Sequence, residues 1–368
     1  MANGVDNVFL NENGAIEVPK IKIKEEEKEK IITKADILRK LSSGTGLREA
    51  LNDIVGGGMG ALIVVSNQAA FNLFKGGFYV NCKFNSKKLF ELAKMDGAII
   101  LSEDFKKILH ANTLLIPSMD FNSSETGTRH QAAERTAKQI NGLVIAVSER
   151  RGTITIYYGN SRYVLQNAHE LLRRATETLQ ILEKQIEVFS ELIANLNVLE
   201  ITNLVSVADV CTILERLEMI RKMTNIINEY IVELGKDGII LRMRMRELTK
   251  GIEEKEDFII KDYISKPSRV GGFFDSLNFD ELLDLETISR VLFAKSLDTS
   301  VIPKGYRLLN KTHLNKNEIE SLIKYFKNID GVFNSDKEAL ERVVKENAEN
   351  LIKELNVLKE HIMVGKKV

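Results

Sequence analysis

Between residues 35 and 163, short β-branched runs alternate with stretches whose apolar positions recur at helical spacing. The runs at 61–65, 98–101, 114–116, 143–147 and 153–158 predict strands, and 35–41, 47–55, 86–94 and 129–141 predict helices between them. Alternation of this kind predicts an α/β domain around a central mixed sheet. The pattern changes after Tyr163. Leu165, Ala168, Leu172, Ala175, Leu179, Leu182, Ile186, Phe189, Ile193 and Leu196 follow a strict three-four alternation, the seam of a left-handed coiled coil or of a bundle helix. Helical patterns continue over 205–234 and 239–248, Gly271-Gly272 reads as a loop, and 279–293 reads as one further helix. Short helices recur from Pro303 to the end. The expected organisation is therefore a charged extension at 1–34, an α/β domain at 35–163, an all-α spine at 164–302 and a helical C-terminal domain at 303–368.

Composition narrows the function classes. The 368 residues are 44% hydrophobic and 28% charged, which argues against wholesale disorder. Fifty-two basic side chains balance fifty-two acidic ones, so a chain-wide basic field for nucleic acid is excluded, though a local patch is not. The C-terminal 303–368 segment carries a slight excess, 13 Lys and Arg against 10 Asp and Glu. Cys82 and Cys211 are too far apart in sequence to suggest a zinc site, and they fit a reducing compartment as packing residues. The start of the chain has no charged-then-apolar leader, and no apolar run approaches the roughly 18 residues of a bilayer span. A cytoplasmic protein without a membrane partner is expected. The Lys/Glu run at 20–30 reads as a solvated arm.

Several motifs have a plain structural explanation. Gly56-Gly57-Gly58-Met59-Gly60-Ala61 satisfies the dinucleotide fingerprint by letter, but it leads into a strand where that fingerprint must open a helix. It reads as a turn. No Walker A sequence and no zinc-binding histidine pair exists. The segment Ser124-Glu125-Thr126-Gly127-Thr128-Arg129-His130-Gln131 is different, because a Ser/Thr/Gly loop runs straight into a helical pattern. The first amides of a helix lack internal partners and sit at the positive end of its dipole, so such a loop can receive an anion, with Arg129 and His130 adding charge. The alternative is that Thr126 or Thr128 simply caps the helix. Asp96-Gly97-Ala98 precedes the apolar run Ile99-Ile100-Leu101, and it is either a turn or a carboxylate for a divalent metal beside a glycine that admits a ligand.

Taken together, Asp96-Gly97-Ala98 and Gly127-Thr128-Arg129-His130, with Ala133-Glu134-Arg135 after them, resemble the diadenylate cyclase family. Gly60 to Val64, Ile100 to Asp104 and Val147 to Arg151 agree with it. The spine and Gly305-Tyr306-Arg307-Leu308-Leu309 are similar to the members that couple the cyclase to scanning of DNA integrity. The resemblance implies a nucleotidyltransferase that condenses two ATP into cyclic di-AMP and two pyrophosphates, with Mg²⁺ or Mn²⁺ as cofactor. It implies Asp96, Arg129 and His130 as catalytic residues, with Asp96 on the metal. ATP contacts fall on Gly97, Ala98, Leu115, Thr128, Arg129, His130, Gln131, Ala132 and Ser148. Two domains would face each other, in an octamer, so that each ATP 3′-hydroxyl lies in line with the other's α-phosphate.

Two departures stand out. The family continues Arg-His with a second arginine, and here Gln131 stands there, so Gln131→Arg is expected to tighten ATP binding. The family's C-terminal helix-hairpin-helix modules grip DNA through Gly-hydrophobic-Gly hairpins. Here 312–323 resembles the less regular first hairpin, while Val343-Val344-Lys345-Glu346-Asn347 lacks glycine altogether. A degenerate helix-hairpin-helix-like domain is expected, holding branched or damaged DNA through lysines such as Lys304, Lys311 and Lys316, with a link to DNA repair and the nucleoid. The alternative is a DNA-binding structural or sensor protein whose cyclase domain is weakened or inactive.

Overall fold

A computed structural model describes residues 33–67 and 69–365, so the 20–30 charge run lies outside the described residues. Helices α1 (Lys34–Lys40) and α2 (Gly46–Gly56) begin where Thr33 and Thr45 accept amide N–H bonds from Asp36 and Arg48. Then follow β1 (Ala61–Val65), β2 (Phe74–Lys75), β3 (Phe78–Lys83), α3 (Ser86–Leu92), β4 (Ala98–Leu101), β5 (Lys107–Leu115), α4 (Thr128–Ile140), β6 (Leu143–Ser148), β7 (Thr153–Tyr158) and β8 (Ser161–Val164). They build one eight-stranded mixed sheet in the order β2-β5-β4-β1-β6-β7-β8, with β3 also on β5. β1 and β4 run parallel and the other pairs are antiparallel.

β1 is apolar throughout because both its faces are covered. Ala61, Ile63 and Val65 join Leu47, Leu51, Ile54 and Leu89 from α2 and α3. Leu62 and Val64 face the other way, onto Ala133, Ala137 and Ile140 of α4. The expected strand at 114–116 is only the end of β5, whose earlier part is masked in the sequence by Lys107, His110 and Asn112. β2 and β3 were not expected either. Phe74 opposes Leu115, Lys75 opposes Leu114 and Phe78 opposes Ala111, so the two continue one edge strand interrupted at Gly76-Gly77.

The spine comprises α5 (Ala168–Ile201), α6 (Val207–Leu234), α7 (Ile239–Leu248), α8 (Ile252–Tyr263), α9 (Val270–Ser276), α10 (Phe279–Leu282) and α11 (Leu285–Leu292). The seam of α5 is spent within the chain. Ala175, Leu179, Leu182, Phe189 and Leu196 share a core with Val210, Leu214, Leu217 and Ile220 of α6. At the first turn Leu171 is buried and Leu172 is exposed, so the seam starts one position earlier than its spacing predicted. The expected loop at Gly271-Gly272 is instead helical, inside α9, because Val270 and Phe274 are buried on its inner face and outweigh the poor helix propensity of glycine. The expected single helix at 279–293 breaks at Leu283. Asp284 then caps a new start, accepting from the amides of Glu286 and Thr287 at 3.1 and 3.2 Å. Cys211 is buried in this core, which pushes its thiol up to about 12, as befits a packing residue.

α6 brings the chain back to the sheet. Glu233 accepts from the Tyr163 hydroxyl at 2.6 Å and from the Gln166 amide at 2.7 Å, while buried Arg48 donates to the Gln166 carbonyl at 2.6 Å. The other end of the spine carries α12 (Tyr306–Leu309), α13 (Lys316–Phe326), α14 (Ile329–Phe333), α15 (Lys337–Val344) and α16 (Ala348–Met363), which share their own core. Since α5 has 34 residues, the two ends are about 50 Å apart. No helix among the described residues is long and apolar enough to cross a membrane.

One buried group weakens the spine. Glu215 on α6 is 4% exposed, and its Oε1 has no hydrogen-bond partner among the described residues. Burial pushes its carboxyl up, only partly offset by Arg216 at 3.7 Å. A carboxyl whose pKa is raised by folding costs stability as pH climbs from the ordinary carboxylate range toward its folded pKa, so the penalty grows toward neutral pH and vanishes below that range. Glu215→Met is expected to raise stability by about 1 kcal/mol at pH 7 and to lose that gain in acid, as read by chemical denaturation at the two pH values.

Candidate functional site

The start of α4 does not meet the capping reading of the Thr-Arg-His loop. Its cap is Gly127, which has no side chain, and neither Thr126 nor Thr128 caps the helix. The leading amides thus stay open to a ligand, unlike those of α1 and α2. The loop before the cap is fixed by the outer face of α4. Glu134 accepts from Ser123 Oγ at 2.6 Å, the Ser124 amide at 3.0 Å and Lys138 Nζ at 2.7 Å. Burial pushes the Glu134 carboxyl up, but these donors outweigh it and keep it ionised. Lys138 also donates to the Asn122 carbonyl at 2.7 Å, Arg135 to that of Phe121 at 3.1 Å, and the Ser118 amide to Gln139 at 2.8 Å.

A cleft of about 680 Å³ opens over this helix start. Gly97, Ala98, Leu115, Thr128, Arg129, His130, Ala132 and Ser148, expected from the sequence as ligand contacts, all line it. Asp96 sits on the exposed turn directly before Gly97 and is not among the lining residues. Gln131 turns away, its amide donating to the Glu125 carbonyl at 2.8 Å. Gly97 holds φ +87°, and a Cβ there would meet the Thr113 carbonyl oxygen at 2.8 Å. Its freedom therefore serves the close approach of β5 as well as the cleft.

Sequence reasoning missed several cleft residues. Arg150 and Arg151 on the β6–β7 turn line it, as do Thr113, Glu125 and Glu149. By sequence Gly60 belongs to a turn, yet a Cβ built on it would lie 1.8 Å from a guanidinium nitrogen of Arg129. The bare backbone of Gly60 is thus the seat of that guanidinium. Burial pushes His130 toward the neutral imidazole, Glu125 opposes this, and Arg129, Arg162 and Arg151 reinforce it.

Among the described residues no three His, Cys, Asp or Glu side chains gather as a metal cage. The donor set still fits a hard divalent cation of the Mg²⁺ type, which is commonly held by one or two carboxylates plus substrate phosphates. Asp96, exposed and without a protein partner among the described residues, is such a carboxylate. The three C-terminal lysines differ. Lys304 donates to the carbonyls of Lys261 at 3.0 Å and Ile264 at 3.5 Å, closing the end of α8. Lys311 is exposed at the surface, though partial desolvation first and Arg307 second lower its amine to about 8. Lys316 is exposed on the first turn of α13.

A mixed sheet sandwiched by helices, with an uncapped helix start and three arginines in one cleft, defines a nucleotide-binding α/β domain carried on a helical spine. Residues 48–162 match the family model described as DisA bacterial checkpoint controller nucleotide-binding, and 165–299 match the DisA bacterial checkpoint controller linker region. The DNA integrity scanning protein DisA of Clostridioides difficile is 38% identical over 315 residues, covering 83% of this chain and 88% of that protein. The protein of the same name from Clostridium botulinum strain Eklund 17B is 41% identical over 344 residues, covering 90% and 97%. The chain belongs to the DisA family.

Proposed function

We propose that the α/β domain is a diadenylate cyclase, condensing two ATP into cyclic di-AMP and releasing two pyrophosphates. The observation that carries this reading is the open start of α4. Unpaired amides at Thr128 to His130 and the Arg129 guanidinium over Gly60 face one cleft of nucleotide size. In each transfer a 3′-hydroxyl oxygen bonds to the partner's α-phosphorus, the hydroxyl proton leaves, and the bond to the pyrophosphate oxygen breaks. Arg129, His130 and the helix amides hold the phosphates and offset the charge that grows on the leaving pyrophosphate. Gly97, Ala98, Leu115, Thr128, Ala132 and Ser148 shape the nucleotide pocket. Mg²⁺ or Mn²⁺, held at Asp96 and the phosphates, would supply activation of the hydroxyl. One cleft holds one ATP, so the reaction needs two domains facing across a two-fold axis, as an octamer would provide. Incubation of the purified protein with ATP and Mn²⁺, followed by mass spectrometry, tests the reading; no cyclic di-AMP from a protein that retains ATP would overturn it.

The C-terminal region completes the proposal. We assign residues 303–368 to contacts with branched or damaged DNA, with Lys316 as the most available of the three lysines. The spine at 164–302 links it to the cyclase domain at 35–163.

Two substitutions probe the phosphate end. Gly60→Ala meets only the far end of a flexible side chain, so the fold is expected to persist while Arg129 is pushed out of place. Loss of one charge-assisted contact weakens ATP binding about tenfold, with an unchanged denaturation midpoint. Gln131 turns to the Glu125 carbonyl, whereas the longer arginine of Gln131→Arg can leave that bond and bring a cation to the cleft edge. Calorimetry with a non-hydrolysable ATP analogue is expected to show binding tighter by about 1–2 kcal/mol.

A further inference from the structure

We infer that Glu125 is a positioning residue of this cleft: it ties the Gly127–His130 turn to the sheet and sets a single negative charge beside His130. The inference rests on the cleft being the nucleotide site. A carboxylate lining a cleft meant for a triphosphate is electrostatically misplaced unless something fixes its charge to another purpose. Here three elements fix it. Its Oε1 accepts from the Tyr157 hydroxyl at 2.8 Å and from Arg162 Nε at 2.6 Å, so β7 and β8 both hold it. Its carbonyl accepts from Gln131 of α4 at 2.8 Å. Its amide donates to Ser123 Oγ at 3.2 Å, and that hydroxyl in turn donates to Glu134. Burial pushes the Glu125 carboxyl up, and Arg162 and Tyr157 more than reverse this, so it stays charged.

Of the titratable groups this charge acts on, His130 is the one whose ordinary range lies near neutral pH. His130 lies edge-on to the Tyr157 ring at 6.3 Å. The groups that face it are Glu125 from the loop, Arg129 from its own helix, Arg151 from the β6–β7 turn, Tyr157 from β7 and Arg162 from β8. Three are cations, and the phenol of Tyr157 stays neutral at working pH. Glu125 is the only one of the five that favours the protonated imidazole, the form that attracts phosphate.

Glu125→Gln keeps an acceptor oxygen for Tyr157 and Arg162 and removes the charge. Histidine titration by NMR on the full chain, with the His130 signal assigned by its loss in His130→Gln, reads the result without nucleotide. The His130 midpoint is expected to fall in Glu125→Gln and to rise in Arg162→Gln, which removes a facing cation. Loosening of the loop alone would not move the two in opposite directions. Affinity for a non-hydrolysable ATP analogue, which gains from the protonated imidazole below the His130 midpoint and weakens as pH rises through it, should begin to weaken at lower pH in Glu125→Gln. An unchanged His130 midpoint in folded Glu125→Gln overturns the inference. If Glu125→Gln does not fold, an unmoved or lowered midpoint in Arg162→Gln overturns it instead. The expected midpoint shifts with no ATP binding in any variant would leave the Glu125–His130 coupling standing and overturn the nucleotide reading alone.

Discussion

Purified Asp96→Ala protein is expected to fold as its parent does and to make about 10²–10⁴-fold less cyclic di-AMP. Two observations set the contrast. Asp96 is exposed, and among the described residues its carboxylate holds no other group, so stability should change by no more than about 0.5 kcal/mol. It also stands one residue before Gly97, which lines the cleft, and the proposed reaction gives its carboxylate the metal that activates the 3′-hydroxyl. ATP affinity should fall far less than turnover, because the proposed phosphate contacts are at the start of α4 and not at Asp96. Turnover measured by mass spectrometry, with ATP retention measured in parallel, checks both parts. Turnover within a few-fold of the parent would remove Asp96 from the reaction.

The readable and unreadable parts of this site differ in range. Asp96-Gly97-Ala98 and Thr128-Arg129-His130 are each short and local, and each borders a strongly patterned element, β4 or α4. What holds them is not local. Arg129 depends on Gly60, and Glu125 depends on Tyr157 and Arg162, partners 32 and 37 residues away. No spacing rule links such pairs. The same limit applies to the fold. β1 and β4 announce themselves because both faces are buried. β3 does not, since Phe78 and Tyr79 are 58% and 70% exposed and break the link between apolarity and burial. In α9, tertiary burial of Val270 and Phe274 overrides two glycines that locally favour a loop.

Arg307→Met is expected to destabilise the C-terminal region by about 3–5 kcal/mol while leaving the sheet domain's unfolding transition in place. Arg307 begins the Arg-Leu-Leu run that the sequence offered only as a resemblance, and it is 5% exposed. Its guanidinium donates to Asn197 and Glu200 of α5. Glu200 also accepts from the Tyr263 hydroxyl at 2.5 Å. Next to it, Asp262 of α8 caps the start of α12, accepting from the amides of Gly305, Tyr306 and Arg307 at 2.8, 2.6 and 3.0 Å. Two carboxylates, each 2% exposed, thus meet at this junction, Glu200 on the Arg307 guanidinium and Asp262 on the backbone amides of 305–307. Without Arg307, Glu200 would be left uncompensated beside Asp262.

The pH dependence follows from Asp262. Its carboxyl is pushed up to about 6, by burial and then by Glu200, against the amide donors and Arg307. Native protein therefore binds protons more readily there than the unfolded chain, and stability at this junction falls as pH rises toward and through 6. Removing Arg307 takes away a cation that holds the Asp262 carboxyl down, so that carboxyl rises further and the loss should be smaller at pH 5 than at pH 8. The double variant Arg307→Met/Glu200→Gln should recover part of it, since the orphaned charge is gone. Urea denaturation followed by limited proteolysis near residue 303, run at both pH values, measures each effect. An equal loss at both, with no recovery in the double variant, would mean that Arg307 acts by packing rather than by charge.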